Sequence, residues 1–303
     1  MMPPRRRRKN RRRPRRGYVL LLVLFVMALA ATAMAGVCRM SLEKTMQASR
    51  AQADLQRRWG VMSCRSVLLP KAQAIIGRSK EPTSQVAREL RLNGQPLTLI
   101  FGDEQAKANV NLLYAQGGLS GAEREVRSLV EASGSPVTVQ LRPIPGRGKA
   151  FGTVDAKEDD PLAFETFAQV FGPQGAPRSL LLAERPNAAP VSAELTCWGD
   201  GSLNLRRASP DAVRAVLSRR LAGGEITRLL ELRANNPEIE SSDLLDALGL
   251  SEARREAVED LLSGESSCYS LWIVSASGTR SWYDLAVSDG GGGGVNDAML
   301  FEW

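Results

Sequence analysis

The chain has 303 residues, enough for two domains at roughly 100 to 200 residues each, and its 43% hydrophobic content is that of a folded protein. It contains no histidine, which removes Ser-His-Asp and Cys-His nucleophile pairs, histidine metal sites and histidine acid–base catalysis. The net charge of +7 belongs to one end: ten of the forty Lys and Arg residues lie in the first seventeen positions without an acid, and the rest, thirty cations against thirty-three anions, carries −3. A body of that sign does not hold a phosphate backbone by bulk electrostatics.

The basic head, residues 1–16, is followed by Gly17 and then by twenty residues, Tyr18 to Val37, without a charge. As a helix this run is roughly 30 Å long, the thickness of a bilayer's hydrocarbon core. The arginines keep the head on the cytoplasmic side and put everything after Arg39 beyond the inner membrane. Three fates are open to the segment. Ala33-Met34-Ala35 fits the small-x-small rule for secretory cleavage, the helix could stay as an uncleaved anchor, or the chain could be cut on the cytoplasmic side after Gly17 with the helix retained.

The third arrangement, a basic leader ending in glycine directly before the apolar helix, resembles the prepilin leader of type IV pilins and type II secretion pseudopilins. The resemblance implies that Gly17 and Tyr18 form the processing junction of a prepilin peptidase. Fibre-forming pilins carry glutamate at the fifth mature position, where this chain has Leu22. An unpaired carboxylate there would cost on the order of 2.5–3.5 kcal/mol at the bilayer centre. A subunit lacking it can cap a fibre better than repeat along it, and its absence resembles the K-class minor pseudopilin of type II secretion. Tyr18 departs from the commoner phenylalanine or methionine.

From Ser41 to Leu69 the helical character continues, with no proline before Pro70 and one glycine, Gly60, so that span and stem together predict a helix of roughly 75 Å. Glu43, Lys44, Arg50, Asp54, Arg57 and Arg58 give it a solvated face; Leu42, Met46, Leu55, Trp59 and Met62 an apolar one, expected to pack on the protein's own sheet or else on a partner helix. Alternation around Asn93-Gly94 predicts a β-hairpin. Asp103-Glu104, Lys107 and Asn109-Val110-Asn111 follow and resemble the acidic, lysine, Asn-x-Asn order after the first K-class strands. The asparagines are expected to organise a turn through side-chain-to-backbone bonds.

Residues 121–132 predict a helix, 135–144 a strand, 161–172 a short amphipathic helix, and 179–184 and 191–198 further strands. Asp155, Glu158, Asp159 and Asp160 could supply oxygens to calcium, but the spacing is not that of an EF-hand and such loops are usually solvated. Leu203-Asn204-Leu205 opens a segment resembling the K-class stretch before its next helix, although Arg206 and Arg207 stand where asparagine and threonine are expected. Ser209-Pro210-Asp211 is an N-cap with proline at the first helical position, and four helices follow to residue 264. This run is also similar to helix-hairpin-helix modules, with Gly223-Gly224 and Leu248-Gly249-Leu250 where their phosphate-gripping hairpins would stand, although glycine after a helix is first of all a C-cap. Three strands are predicted in residues 268–303, with turns at Gly278 and the glycine run 290–294.

Four cysteines without C-x-x-C spacing argue against zinc or thioredoxin-like chemistry, and Cys197 and Cys268, both in strand-like segments of an oxidising compartment, are a candidate disulfide. Nothing in the order of residues selects a catalytic pair among thirty-three acids, and 5% aromatic content is thin for a sugar cleft. The fold class expected is α+β: a long N-terminal transmembrane and stem helix, and a pilin-like antiparallel sheet head with an inserted all-α, helix-hairpin-helix-like domain. Its parts are a leader at 1–17, a membrane helix at 18–37, a stem at 38–80, the first part of the head at 81–118, a largely helical insert at 119–265 and closing strands at 266–303. The resemblance implies a non-enzymatic minor pseudopilin without cofactor or metal, anchored in inner-membrane lipid with its body in the periplasm. Its implied partners are prepilin peptidase, other minor pseudopilins and the pseudopilus, not nucleic acid. The alternative is a membrane-anchored helix-hairpin-helix protein that binds incoming DNA.

Overall fold

The computed structural model describes residues 16–79, 82–92, 94–148, 151, 161–172, 177–181, 188–237, 239–277, 280–288 and 299–302. The chain divides into two compact units, Met1–Trp59 and Gly60–Trp303. The described part of the first is a single element, helix α1, which starts at Arg16 and continues through the second unit's first residues to Leu68, 53 residues in all. Good helix formers dominate it, and its three glycines, 17, 36 and 60, do not interrupt it. It stops at Pro70, which enters a 3₁₀ turn, Leu69–Lys71, because proline has no N–H for the helical ladder. Helix α2, Ala72–Gly77, follows.

In the second unit, β1 (Gln85–Leu92) and β2 (Gln95–Asp103) form the expected antiparallel hairpin, with Val86 opposite Phe101. Gly94 takes a φ of 82° at its tip, a conformation that favours glycine. The last strands are β7 (Tyr269–Ser277), β8 (Arg280–Ser288) and β9 (Met299–Glu302). The sheet order is β1-β2-β7-β8-β9, antiparallel throughout. Since β2 and β7 are neighbours, everything from Glu104 to Cys268 is inserted between two adjacent strands. The expected α+β class with closing C-terminal strands is what the chain adopts.

Strand alternation splits the core in two. Leu97, Leu99, Phe101, Leu271, Ile273 and Ala286 lie under Cys64, Leu69, Ala72 and Ile76. Trp272, Leu285 and Val287 on the opposite face belong to a larger core shared with the inserted helices. Those are α3 (Val110–Ser133), α4 (Phe167–Phe171), α5 (Pro177–Leu181), α6 (Val191–Glu194), α7 (Pro210–Leu217), α8 (Gly223–Asn235), α9 (Ser241–Leu248) and α10 (Glu252–Glu259). Two short parallel pairs complete the unit: β3 (Ala108–Asn109) with β4 (Leu195–Thr196), and β5 (Leu203–Asn204) with β6 (Leu262–Ser263).

Several expectations are corrected. Leu42, Met46, Leu55, Trp59 and Met62, expected to be covered, are each 48–62% exposed. At 3.6 residues per turn Leu55, Trp59 and Met62 share a face within about 60°, whereas Leu42 and Met46 lie on the other side. Val61, Cys64 and Leu68, opposite that trio, are the residues that reach the sheet core. Residues 135–144 alternate half-buried and exposed as a strand would, but they form no strand. Their N–H groups meet the end of α4 instead, Gln140 donating to the Val170 carbonyl at 2.8 Å and Arg142 to that of Gln169 at 2.7 Å.

The predicted helix over 161–172 shrinks to α4, with Gln169 Oε1 accepting the Thr166 N–H at 3.0 Å. In place of strands, 177–181 is helical and 191–194 is one turn of helix before β4. Helix α3 begins at Val110 rather than 121 and is kinked at Gly118, whose φ is 62°. The Ser209 N-cap is as expected, its hydroxyl accepting the Ala212 N–H at 3.0 Å. Gly249 is the left-handed C-cap of α9, but Gly223 and Gly224 open α8 rather than close α7.

Candidate functional site

Two parts of the molecule have side chains placed against the usual rule. The first is α1. Gly17 and Tyr18 stand in its first turn, which holds no acidic residue, and every side chain from Tyr18 to Arg50 is exposed, Leu22 included. Among the described residues α1 is the one helix long and apolar enough to cross a bilayer. Leaving so much hydrocarbon in water is unfavourable by roughly 25 cal/mol per Å², so a helix exposed in this way favours an apolar environment such as a bilayer.

The second is a polar belt buried where the sheet meets the insert. β2 ends at Asp103, whose Oδ1 accepts the Ala106 N–H at 3.2 Å and shapes a 3₁₀ turn, Glu104–Ala106. That turn drives Glu104 inward. Its carboxylate accepts hydrogen bonds from Lys107 Nζ, from the Thr196 hydroxyl of β4 and from the Ser270 hydroxyl of β7. Glu104 and Lys107 are an ion pair with essentially no solvent exposure, and Thr196 Oγ1 in turn accepts the Trp198 N–H at 3.1 Å. Asn109 Oδ1 takes the Asn111 N–H at 2.8 Å to start α3, and Asn109 Nδ2 donates to the Trp198 carbonyl at 2.9 Å. Asn111 donates to the Phe164 and Cys197 carbonyls, both at 2.9 Å, and accepts the Phe164 N–H at 2.8 Å. The Asn-x-Asn segment thus does what its residue type predicts and ties three chain segments together.

The belt continues outward. Asn204 Nδ2 donates to Asp103 Oδ2 at 3.3 Å and to Ser266 Oγ at 2.7 Å, and Arg207 Nε lies 4.0 Å from the same Asp103 oxygen. Burial pushes the Asp103 carboxyl above its ordinary 3.8, opposed by the Ser266 hydrogen bond and the charges of Lys107 and Arg207 and reinforced by Glu104. Burial likewise raises Glu194, whose carboxylate accepts the Ser209 hydroxyl proton. The Tyr269 hydroxyl, donating to the Ser266 carbonyl at 2.7 Å, is pushed up to about 12, by burial first and by Asp103 next. All of these carboxylates are engaged by donors inside the fold, which makes the belt a fastening rather than a presented catalytic centre.

Cys197 and Cys268 are both fully buried in the larger core and remain thiols, so the candidate disulfide is not formed; burial raises the Cys197 thiol further from ionisation. Asp155, Glu158, Asp159 and Asp160 lie outside the described residues, and among the described ones no group of three or more Cys, Asp or Glu could hold a metal ion. At Gly223-Gly224, where a phosphate-gripping hairpin was one expectation, Glu225 accepts the Ala222 N–H at 2.7 Å and pairs with Arg254 at 2.8 Å, setting a carboxylate against any phosphate.

No family model matches the chain, and no curated protein matches it. Among solved structures it is similar to a chain of "The Crystal Structure of the GspK-GspI-GspJ complex from enterotoxigenic Escherichia coli Type 2 Secretion System", at 13% identity and a TM-score of 0.42, over 84% of this chain and 98% of that one.

The sequence singled out Asp103, Glu104, Lys107, Asn109 and Asn111, and the structure brings them together. It gave no sign of Thr196, Ser270, Glu194 or Ser266, which join from other segments. The one usable hint was a run of charge and amide directly after an apolar strand, since such residues at a sheet end must find partners if the chain continues inward.

Proposed function

We propose that the chain is a minor pseudopilin of a type II protein secretion system. A prepilin peptidase removes residues 1–17, the helix from Tyr18 stays in inner-membrane lipid, and the body lies in the periplasm. There the subunit stands beside other minor pseudopilins and caps the tip of the pseudopilus during export of folded proteins, without catalysis or cofactor. Residues 119–265 serve as the bulk of the cap. The observation that carries the reading is α1: an exposed helix whose stretch Tyr18 to Val37 carries no charge and directly follows a basic leader ending in glycine, with Leu22 in place of an acid and a helical end packed on an antiparallel sheet.

The test is the N-terminus of the protein recovered from membranes, by intact mass or terminal sequencing. A start at Tyr18 is expected, lost when Gly17 is replaced by a bulky residue. A start at Met1 or Gly36 overturns the reading, the first meaning an uncleaved anchor and the second a released periplasmic protein.

A further inference from the structure

Arg207 stands where the resembling segment has a small polar residue, and its position in the fold has a use that its residue type alone does not suggest. It lies in the turn between β5 and α7, fixed there by its own N–H, which donates to the Asn204 carbonyl at 3.2 Å. Its guanidinium faces two ways. Nη1 donates to the Ile76 carbonyl at 3.1 Å, in the last turn of α2, and Nε lies 4.0 Å from Asp103 Oδ2 at the end of β2. A Cβ on Gly77 would lie 3.9 Å from Nη2, so the α2 backbone is close against the guanidinium. A cation at the last turn of a helix also opposes the partial negative charge of its terminal carbonyls. The two partners differ in kind: the carbonyl belongs to the helical end that continues from α1 through a three-residue turn, and the carboxylate, only 1% exposed, belongs to the buried belt. The planar fork of arginine presents separate nitrogens to the two partners in a fixed geometry, which the single nitrogen of lysine does not.

We propose that Arg207 is a clamp that fastens the C-terminal end of α2 to the insert, so that a displacement of α2 is passed to the turn before α7. Asp103 is the clamp's anchor and Asn204 its backstop, since Asn204 holds both the Arg207 N–H and the Asp103 carboxylate. The proposal does not depend on secretion; it concerns how motion of α2 reaches the inserted helices.

Hydrogen exchange followed by mass spectrometry on the full chain in detergent tests it, comparing residues 72–79, residues 199–208 and, as a control, β7–β8. Arg207→Met should speed exchange about fivefold or more in both test segments and leave the control unchanged. The discriminating variant is Asp103→Asn, which keeps an oxygen for the Ala106 N–H but removes both the charge facing the guanidinium and the acceptor of the Asn204 Nδ2 bond: residues 72–79 should loosen although Asp103 makes no hydrogen bond to α2. If Asp103→Asn leaves residues 72–79 at the wild-type rate, or Arg207→Met leaves either segment unchanged, the clamp is disproved. Should Arg207→Met speed exchange throughout the head, Arg207→Lys decides: loosening of one test segment without the other supports the two-way fork, and wild-type rates in both overturn it.

Discussion

Residues 18–50 and residues 103–111 break the inside–outside rule in opposite directions. The first region turns leucine, valine and phenylalanine outward; the second turns Asp103, Glu104, Lys107, Asn109 and Asn111 inward, none more than 3% exposed. They differ in whether the chain itself supplies the complement. Each of these buried polar side chains finds a hydrogen-bond or ion partner within the same chain, so that region is finished when folding is finished. The apolar side chains of the helix stay exposed among the described residues. A region whose chemical complement must come from outside is where function is to be sought, and a region that satisfies itself is where rigidity is.

The comparison breaks most readily at Lys107. Removing one partner of a buried ion pair leaves the other uncompensated, a loss of about 3–5 kcal/mol, whereas replacing both by apolar groups is often neutral. Lys107→Met is therefore expected to lower the urea midpoint of the detergent-solubilised chain by that equivalent, and Glu104→Leu with Lys107→Met to recover only part of it, since the Thr196 and Ser270 hydroxyls then lose their acceptor. A single substitution costing under about 1 kcal/mol would mean that water reaches Glu104, and the belt would not be self-contained. Asn111 comes next. Its side chain makes three hydrogen bonds to backbone groups of Phe164 and Cys197, so Asn111→Ala should cost about 3 kcal/mol at roughly 1 kcal/mol each.

A smaller effect appears with pH. Burial raises both Asp103 and Glu194, so in the folded state each holds its proton more tightly than in the unfolded chain. The resulting stability is fully present below the ordinary values, 3.8 and 4.5, and is lost as pH climbs through the raised ones. Melting of the head is thus expected at higher temperature near pH 4 than at pH 7 as far as these two groups decide it. Asp103→Asn with Glu194→Gln, measured at both pH values, should narrow the difference; an unchanged difference would mean the two carboxyls are not buried as charges.

How much of this was legible in the sequence depends on how local the cause is. The hairpin at Gly94, the Ser209 cap and the strands from Tyr269 onward are set by residues within a few positions, and their patterns predict them. Residues 135–144 carry the correct period of two, yet whether an extended segment becomes a strand depends on a neighbouring strand being there, and the end of α4 is there instead. Helix α3 starts eleven residues before its predicted start, because Asn109 caps it and Gly118 kinks it without ending it. In the belt, the residues from 103 to 111 are visible as a group, but Thr196, Ser270 and Glu194 come from far along the chain and join them only once the sheet closes. The stem's apolar residues look like one face in the sequence, but the helical period separates Leu42 and Met46 from Leu55, Trp59 and Met62.

That separation leads to the smallest expected change in stability. Trp59 is 60% exposed, and a surface substitution without an internal partner normally shifts stability by no more than about 0.5 kcal/mol, so Trp59→Ala should unfold at the wild-type midpoint. A loss above about 1 kcal/mol would show that the chain does supply a complement to this part of α1. If stability holds, the same variant asks a sharper question of the membrane-embedded protein. Large aromatic side chains dominate the energetics of protein contacts, and Leu55 and Met62 flank this one on the same face. Trp59→Ala should then weaken co-purification of the protein's membrane neighbours while the same change at Leu42, on the other side of the helix, does so less. Equal losses at both positions would mean that the face of Leu55, Trp59 and Met62 has no special claim on a partner.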